Sequence, residues 1–468
     1  MKMASSNSSN YVIRVDQSPA ELDVRQWNDL LMRQAMPTPF MRHEYLLAMQ
    51  QSGSAVAKTG WRAAFISVHS GDQLVAACPM YLKDHSYGEY VFDWAWANAH
   101  HQHGLPYYPK TLIAVPFTPV PGSRLLAIDS AARDLLLKTA IDQCRAHNAS
   151  SLHLLFGDEA DLEACHKADL LSRQTVQFHW GNVAPTLVAA RTALPPEGAH
   201  FSSGAALQKN LAPTLVAART AADLKPDVAV ANRFSSFEEF LGSLTQDKRK
   251  KIRQERRKVA DAGVTFRWAQ GRDITPSDWD FFYACYARTY LEHGNAPYLS
   301  RSFFSMMQKS MPENWLLFVA MRNKQAIATS LIAIGAYSIC SSSTFDSQTV
   351  EILQSPSMPN PPTALTAYGR YWGALERVDC LHFEACYYQP LQWCIDHGVL
   401  RFEGGAQGEH KMARALLPVQ TQSAHWLAHP AFARAIETFL EREQGGVSNY
   451  LEDLHKRNPY KQATFPRD

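Results

Sequence analysis

Leu400-Arg401-Phe402-Glu403-Gly404-Gly405-Ala406-Gln407-Gly408-Glu409-His410-Lys411 reads as a short strand running into a glycine-rich turn. The turn brings two carboxylates, an imidazole and an ammonium close together. Just upstream, Glu384–His397 carries Tyr387, Tyr388, Leu391 and Ile395 at helical spacing and stops at Gly398. A helix, a tight turn, a strand and a glycine loop in succession make up the repeating unit of α/β folds. In open sheets of that class, ligands gather outside the carboxyl ends of the strands.

Moving outward, the same plan occurs twice. In the second half, Ser236-Phe237-Glu238-Glu239 reads as a capping box that opens an apolar stripe of Phe237, Phe240, Leu241, Leu244, Ile252 and Val259, which stops at Gly263. A strand at Thr265–Trp268, helices at Asp278–Tyr290 and Ser302–Ser310, and strands at Leu316–Met321 and Ala326–Ile334 follow. Tyr368–Leu375 resumes the order, and another helix runs from Ala431 to Glu443. In the first half, Leu22–Gln34 is helical. Ala63–His69 and Gln73–Leu82 form a strand pair around Ser70-Gly71-Asp72, and Tyr87–Trp96 reads as an aromatic strand. Asp129–His147 is an amphipathic helix, and Ser151–Phe156 closes the half as a strand.

Two segments break this plan. Asn182–Ala193 recurs nearly unchanged as Asn210–Ala221. Two copies are too few for a solenoid, which marks 181–231 as an inserted linker. Residues 338–366, with Ser341-Ser342-Ser343 and the Pro-rich run Pro356–Pro362, read as an inserted loop. The expected organisation is a first half over 11–180, a second half over 232–445, and a tail over 446–468.

Composition limits the function classes. The 468 residues exceed one usual core, and 46% apolar with 19% charged residues is ordinary for a globular chain. A net charge of +2 gives no global attraction to nucleic acid or membrane. No run of about 18 apolar residues marks a membrane span. Met1 to Asn10 has no apolar core of a secretory signal, so a frayed tail and a cytoplasmic location are expected. The eight cysteines include no Cys-x2-Cys pair, which favours reduced thiols and no metal.

Six blocks carry a resemblance: Tyr87–Ala97, Pro116–Gly122, Lys248–Arg257, Gly369–Ala374, His382–Gln389 and Phe402–Lys411. They look like the FemAB-like predicted N-acyltransferases, also described as peptidoglycan biosynthesis or recognition proteins. The resemblance implies tandem GNAT-like domains of the acyl-CoA N-acyltransferase type, with mixed central sheets flanked by helices. In that fold the acyl donor lies in the splay between two central strands and the acyl group passes to an amine. FemAB relatives draw aminoacyl groups from transfer RNA. The donors implied are therefore acyl-CoA, acyl carrier protein or aminoacyl-tRNA. One departure counts against simple acetyl-CoA binding: Ala374–Phe383 stands where a glycine-rich phosphate loop is expected.

Amine acylation needs a proton acceptor and a donor for the developing oxyanion. Glu403 or His410 is the candidate base, and Lys411 the group that holds an anion. Gly404 and Gly405 let backbone amides approach a carbonyl. Arg370, Trp372, Glu384 and Tyr387 are the other candidate binding residues. Lys248, Arg249 and Lys251 belong to a run, 248–258, with eight basic residues against Glu255, and this run is the candidate contact for a tRNA or a carrier protein. His100-His101-Gln102-His103 reads as a pocket rim. The alternative is a degenerate, non-catalytic protein that binds a polyanion or an amino sugar. An RNA-binding protein is a third reading, but it lacks an aromatic-basic strand to support it.

Overall fold

A computed structural model describes residues 11–183, 233–338, 363–406 and 408–461. The first half contributes β1 Tyr11–Asp16, β2 Trp61–Ala63, β3 Phe65–Ser70, β4 Gln73–Cys78, β5 Met80–Lys83, β6 Lys110–Ile113, β7 Leu126–Ala127, β8 Ser151–Leu155 and β9 Leu171–Gly181. The second contributes β10 Val264–Gln270, β11 Trp315–Arg322, β12 Gln325–Ser338, β13 Thr363–Ala374, β14 Arg401–Ala406 and β15 Leu417–Leu427. The fold is α/β with mixed sheets. β1, β3, β4 and β7 make a four-stranded sheet, and the remaining strands make one sheet in the order β10-β11-β12-β13-β14-β9-β15-β8-β6-β5-β2.

Two neighbouring pairs in the large sheet are parallel, β6 with β8 and β13 with β14. Each needs a crossover, supplied by the helix Ser130–Ala146 in the first half and by the continuous helical stretch 381–396 in the second. Between these pairs the halves trade strands. β9, the last strand of the first half, lies between β14 and β15, and β15 completes the ladder beside β8.

Local sequence explains where the helices begin. Asp23 accepts from the Gln26 amide at 2.9 Å and Asp129 from the Ala132 amide at 2.8 Å. Thr275 and Asp278 form a reciprocal capping box, with Pro276 at the first helical position. The helices Val24–Met32 and His43–Gln51 of the first half pack into one core with Pro276–Glu292 and Arg301–Ser310 of the second. Phe40 meets Tyr368 edge-on at 5.2 Å, and Tyr45 meets Phe303 at 5.3 Å. Phe303 and Phe304 are fully buried, each contributing about 1.5–3 kcal/mol by removal from water. On the opposite face of the second half, the stretch 381–396 packs Leu391 and Tyr388 against Phe402, Ile332 and Phe318.

Several expectations are corrected. Tyr87–Trp96 is not a strand: a loop runs to Asp93, and Trp94–Gln102 is a helix. Gly88 and Tyr90 have φ of 82° and 62°, which no ladder accommodates, and the Asp93 carboxylate is taken by Lys110 and Tyr107. The stripe from Phe237 breaks into two helices, Phe237–Ser243 and Gln246–Asp261, because Leu244 is extended and bridges to Tyr460. Ser236 caps as expected, but the Glu239 carboxylate reaches the Ser235 amide, one residue short of a full box. The last helix runs from Pro430 to Lys456 with Leu454 fully buried, so residues 446–456 are helix rather than tail. Of the expected insertions, 184–231 and 339–362 lie outside the described residues, as does Met1–Asn10. Thr363–Thr366 are strand, paired with 335–338.

Candidate active site

β13 and β14 pair only over Thr366–Tyr368 and Arg401–Glu403. Beyond Tyr368 and Glu403 they separate into a V. Both arms are distorted. On β13, Gly369 and Tyr371 face Ile332 and Leu331 of β12, which leaves Arg370 as the extra residue of a bulge. On β14, Glu403 and Ala406 face His179 and Gln177 of β9, so the glycine pair forms a second irregularity, with Gly405 at φ 74°. The Gly-Gly sequence permits this bend, since only glycine adopts that region without strain.

The V opens on a cleft of about 800 Å³ between the two halves. Gly369, Arg370 and Tyr371 line it from one arm, Gly405 and Ala406 from the other. The facing wall is largely aromatic, with Tyr286, Tyr290 and Tyr298 from the second half and Tyr90 and Phe117 from the first. Phe117 stacks on Tyr298 at 5.0 Å. Arg370 ties the halves together, donating to the Phe117 carbonyl at 2.9 Å and to the Thr118 hydroxyl at 3.3 Å. At the mouth, Arg173 donates twice to Glu443, both at 2.7 Å, and once to the Phe92 carbonyl at 2.8 Å. Glu443 is the one carboxylate among the described lining residues, and this fork occupies it.

Glu403 sits at the apex of the V. Phe402 belongs to the face covered by 381–396, so alternation puts Glu403 on the cleft-facing side. It is 2% exposed, beneath the lining rather than in it. Burial pushes its carboxyl up, against the opposing pull of Arg401, whose Nη2 is 2.6 Å from Oε1. His179 Nε2 is 3.9 Å from Oε2, and burial holds that imidazole neutral, well below its ordinary range.

The other expected residues fall elsewhere. His410 Nε2 is 3.2 Å from the Tyr387 hydroxyl, and His382 lies between Tyr387 and Trp372, with ring centres 5.7 Å and 5.4 Å away. Glu384 accepts from Arg256 and Gln389. Lys411 Nζ donates to the carbonyls of Gly404, Gly405 and Ala406 at 2.7, 3.3 and 2.9 Å, and burial lowers its pKa to about 8. It therefore braces the glycine turn from behind. Gly404 is packed rather than open: an added Cβ would come within 2.3 Å of Leu416. Lys248, Arg249 and Lys251 lie on the helix Gln246–Asp261. The structure thus gathers Glu403, Arg370 and Gly405 around the V and puts Trp372, Glu384, Tyr387 and His410 on the far side of the sheet.

Sequence reading missed the cleft residues Tyr286, Tyr290 and Tyr298 of the second half and the Arg173–Glu443 fork, whose partners are 270 residues apart. It also missed how Lys110 and Tyr107 tie Glu89 and Asp93 into a buried network in the first half. Lys110 Nζ donates to Glu89 at 2.7 Å and contacts Asp93, and Tyr107 donates to Asp93 at 2.6 Å. Burial raises Glu89 to about 6, and although burial works the same way on Asp93, Lys110 holds it at about 2. The histidines expected at a pocket rim do not line the cleft, and His100 is buried with its ring 3.9 Å from Phe432. Among the described residues, no His, Cys, Asp and Glu group is arranged to hold a metal ion, and no helix is long and apolar enough to cross a membrane.

The FemAB-like family model, described as peptidoglycan biosynthesis/recognition, matches residues 18–186, 211–340 and 362–462. No curated protein matches. Among solved structures, the C-terminal domain of a putative lysylphosphatidylglycerol synthetase from Agrobacterium fabrum is 12% identical, covering 90% of this chain and 96% of its own at a TM-score of 0.44. FemX is 10% identical, with coverages of 89% and 98% and a TM-score of 0.43. A tandem GNAT protein from the clavulanic acid biosynthesis pathway is 10% identical, with coverages of 90% and 99% and a TM-score of 0.39.

Proposed function

This chain belongs to the FemAB-like family, and on that premise we propose that it is an N-acyltransferase that joins an acyl or aminoacyl group to an amine in the cleft between its halves. The observation that carries this reading is the V between β13 and β14, which opens onto a cleft walled by both halves. The acyl carbonyl lies in the V and the amine approaches from the aromatic wall. Nitrogen attacks the carbonyl carbon, a C–N bond forms, the donor's thiol or hydroxyl leaves, and the amine gives up a proton.

Each step has a candidate group. The bulge at Arg370 and the turn at Gly405 supply backbone amides for the oxyanion, a contribution on the order of 10²–10³ in rate per donor. Glu403, at the apex and pushed toward neutrality by burial, is the proton acceptor. Lys411 supports the turn from behind, and His410, the other candidate base, lies on the far side of the sheet beside Tyr387.

The test is to incubate the full chain with acyl-CoAs, acyl carrier proteins and aminoacyl-tRNAs plus an amine panel, and to follow the donors by mass spectrometry. Loss of an acyl group to an amine, abolished by Glu403→Gln, supports the proposal. Tight binding of an amino sugar or polyanion with no donor consumed by the native chain would favour the non-catalytic alternative.

A further inference from the structure

The helix Gln246–Asp261 carries an unusual excess of uncompensated charge on one stripe. Ile252, Glu255 and Val259 turn inward. Lys250, Gln254 and Lys258 follow one another at intervals of four, with Lys251 alongside, and these residues line an open groove of about 380 Å³ whose other wall includes Cys380. The stripe from Lys250 to Lys258 spans about 12 Å. All three lysines are exposed, and among the described residues none has a carboxylate partner. Two neighbouring arginines differ. Arg253 pairs with Glu238 at 2.6 Å and Arg256 with Glu384 at 3.1 Å.

The two carboxylates in the groove do not cancel this charge. Glu255 is consumed from below, accepting from Arg414 at 2.9 and 2.8 Å and from the Tyr388 hydroxyl. Asp247 remains, one carboxylate against three ammonium groups. A solvated helix face spreads its charges around the circumference. Here three of the eight basic residues converge on one concavity, and lysine is a compact cation suited to phosphate oxygens.

The geometry points to this groove as a binding site for a pyrophosphate group or a pair of closely spaced phosphate esters, held by Lys250, Lys251 and Lys258. A groove of about 380 Å³ with three lysines around it has room for two adjacent phosphates rather than for a nucleic acid strand. The groove adjoins Cys380, in the segment Ala374–Phe383 that stands in place of a glycine-rich phosphate loop. Lysines from a neighbouring helix thus take over a task that backbone amides perform elsewhere. That the phosphates belong to the acyl donor rests on the transferase reading; the anion site itself does not.

The test is calorimetric titration of the full chain with inorganic pyrophosphate, then with ADP, coenzyme A and 4′-phosphopantetheine to separate the sources. Binding that weakens on the order of 10-fold or more in Lys250→Gln/Lys251→Gln/Lys258→Gln, with an unchanged circular dichroism spectrum, supports the site. The triple Lys→Arg variant keeps the charge and retains most of the affinity. Equal pyrophosphate binding in the parent and the Gln variant, or none at about 10 mM, overturns it. A lysine-dependent RNA duplex that binds while pyrophosphate does not overturns it in favour of nucleic acid. Acyl transfer with an unchanged donor KM in the Gln variant overturns only the link to the donor. Lysine-dependent pyrophosphate binding without any transfer upholds the groove and sinks the transferase reading.

Discussion

Thr175 of β9 and Thr421 of β15 face each other with their hydroxyl oxygens 2.8 Å apart, midway between two matching histidine positions. Four residues further along each strand stand His179 and His425. His179 lies opposite Glu403, and His425 lies opposite His153. The threonine pair therefore marks a pseudo-twofold axis on which Glu403 of one half corresponds to His153 of the other. The two halves share the frame, and the carboxylate is present on one side only. On the other side His153 Nδ1 lies 2.6 Å from His425 Nδ1, and its Nε2 lies 2.7 Å from Ser151.

Replacing Thr421 with Val strands the Thr175 hydroxyl and costs about 1 kcal/mol in urea titration. The double variant, with both hydroxyls removed, costs less than the sum of the two single changes. Strict additivity in the double-mutant cycle would show that the two groups do not interact.

Glu403→Gln lowers turnover on the order of 100-fold or more with the fold intact, once a donor is identified. The base must be ionised to act, and burial raises the Glu403 pKa above the ordinary carboxylate range. Turnover in the parent therefore falls as pH drops through that raised value, and the Gln variant loses this limb of the profile. A pH–rate curve of the same shape in both proteins assigns the base elsewhere.

The paired histidines make stability depend on pH. Burial, followed by the charge of Lys110, pushes His153 down to about 3, and burial pushes His425 well below its ordinary range. An unfolded imidazole titrates near about 6.5, so the stability these groups allow is present above that pH and is lost as pH falls toward the folded values. The urea midpoint should fall between about pH 7 and 5, and less steeply in His425→Gln. Equal slopes in parent and variant would place the dependence on other groups.

Lys411→Met keeps the apolar stem but removes the donor to three carbonyls, a loss of about 2–3 kcal/mol. Gly404→Ala is also destabilising, by about 1–3 kcal/mol, because its Cβ would lie 2.9 Å from the Phe178 carbonyl as well as against Leu416. Thermal melting measures both. An unchanged melting temperature in either variant would show that the turn tolerates what its packing argues against.

The duplicated helix and strand plan was legible because apolar periodicity and capping residues such as Asp129 and Thr275 act locally. The strand trade was not, since nothing in Leu171–Gly181 alone says which neighbours it will pair with. Tyr87–Trp96 misled because aromatic alternation suits both a strand and the lining of a cleft; Gly88 and the partner of Asp93 decided between them. Arg370 and Gly405, which line the cleft, were named from the sequence, Arg370 by the family block and Gly405 by its backbone freedom, whereas Gly404, named beside it, is packed against Leu416. Lys411 was named as a holder of an anion, but its partners here, three carbonyls of its own turn, have no sequence signature. Glu443 went unnoticed because its role depends on Arg173, from the other half of the chain.

The interleaving of β9 and β15 also sets a timetable for synthesis. β8 is complete by Leu155, but the strand that pairs beside it, β15, ends at Leu427. At roughly 5–20 residues per second, a ribosome takes tens of seconds to travel that distance. Through that interval the nascent first half carries an unsatisfied row of backbone groups along β8. Translation speed and chaperone occupancy therefore set how long that edge of the first half stays open.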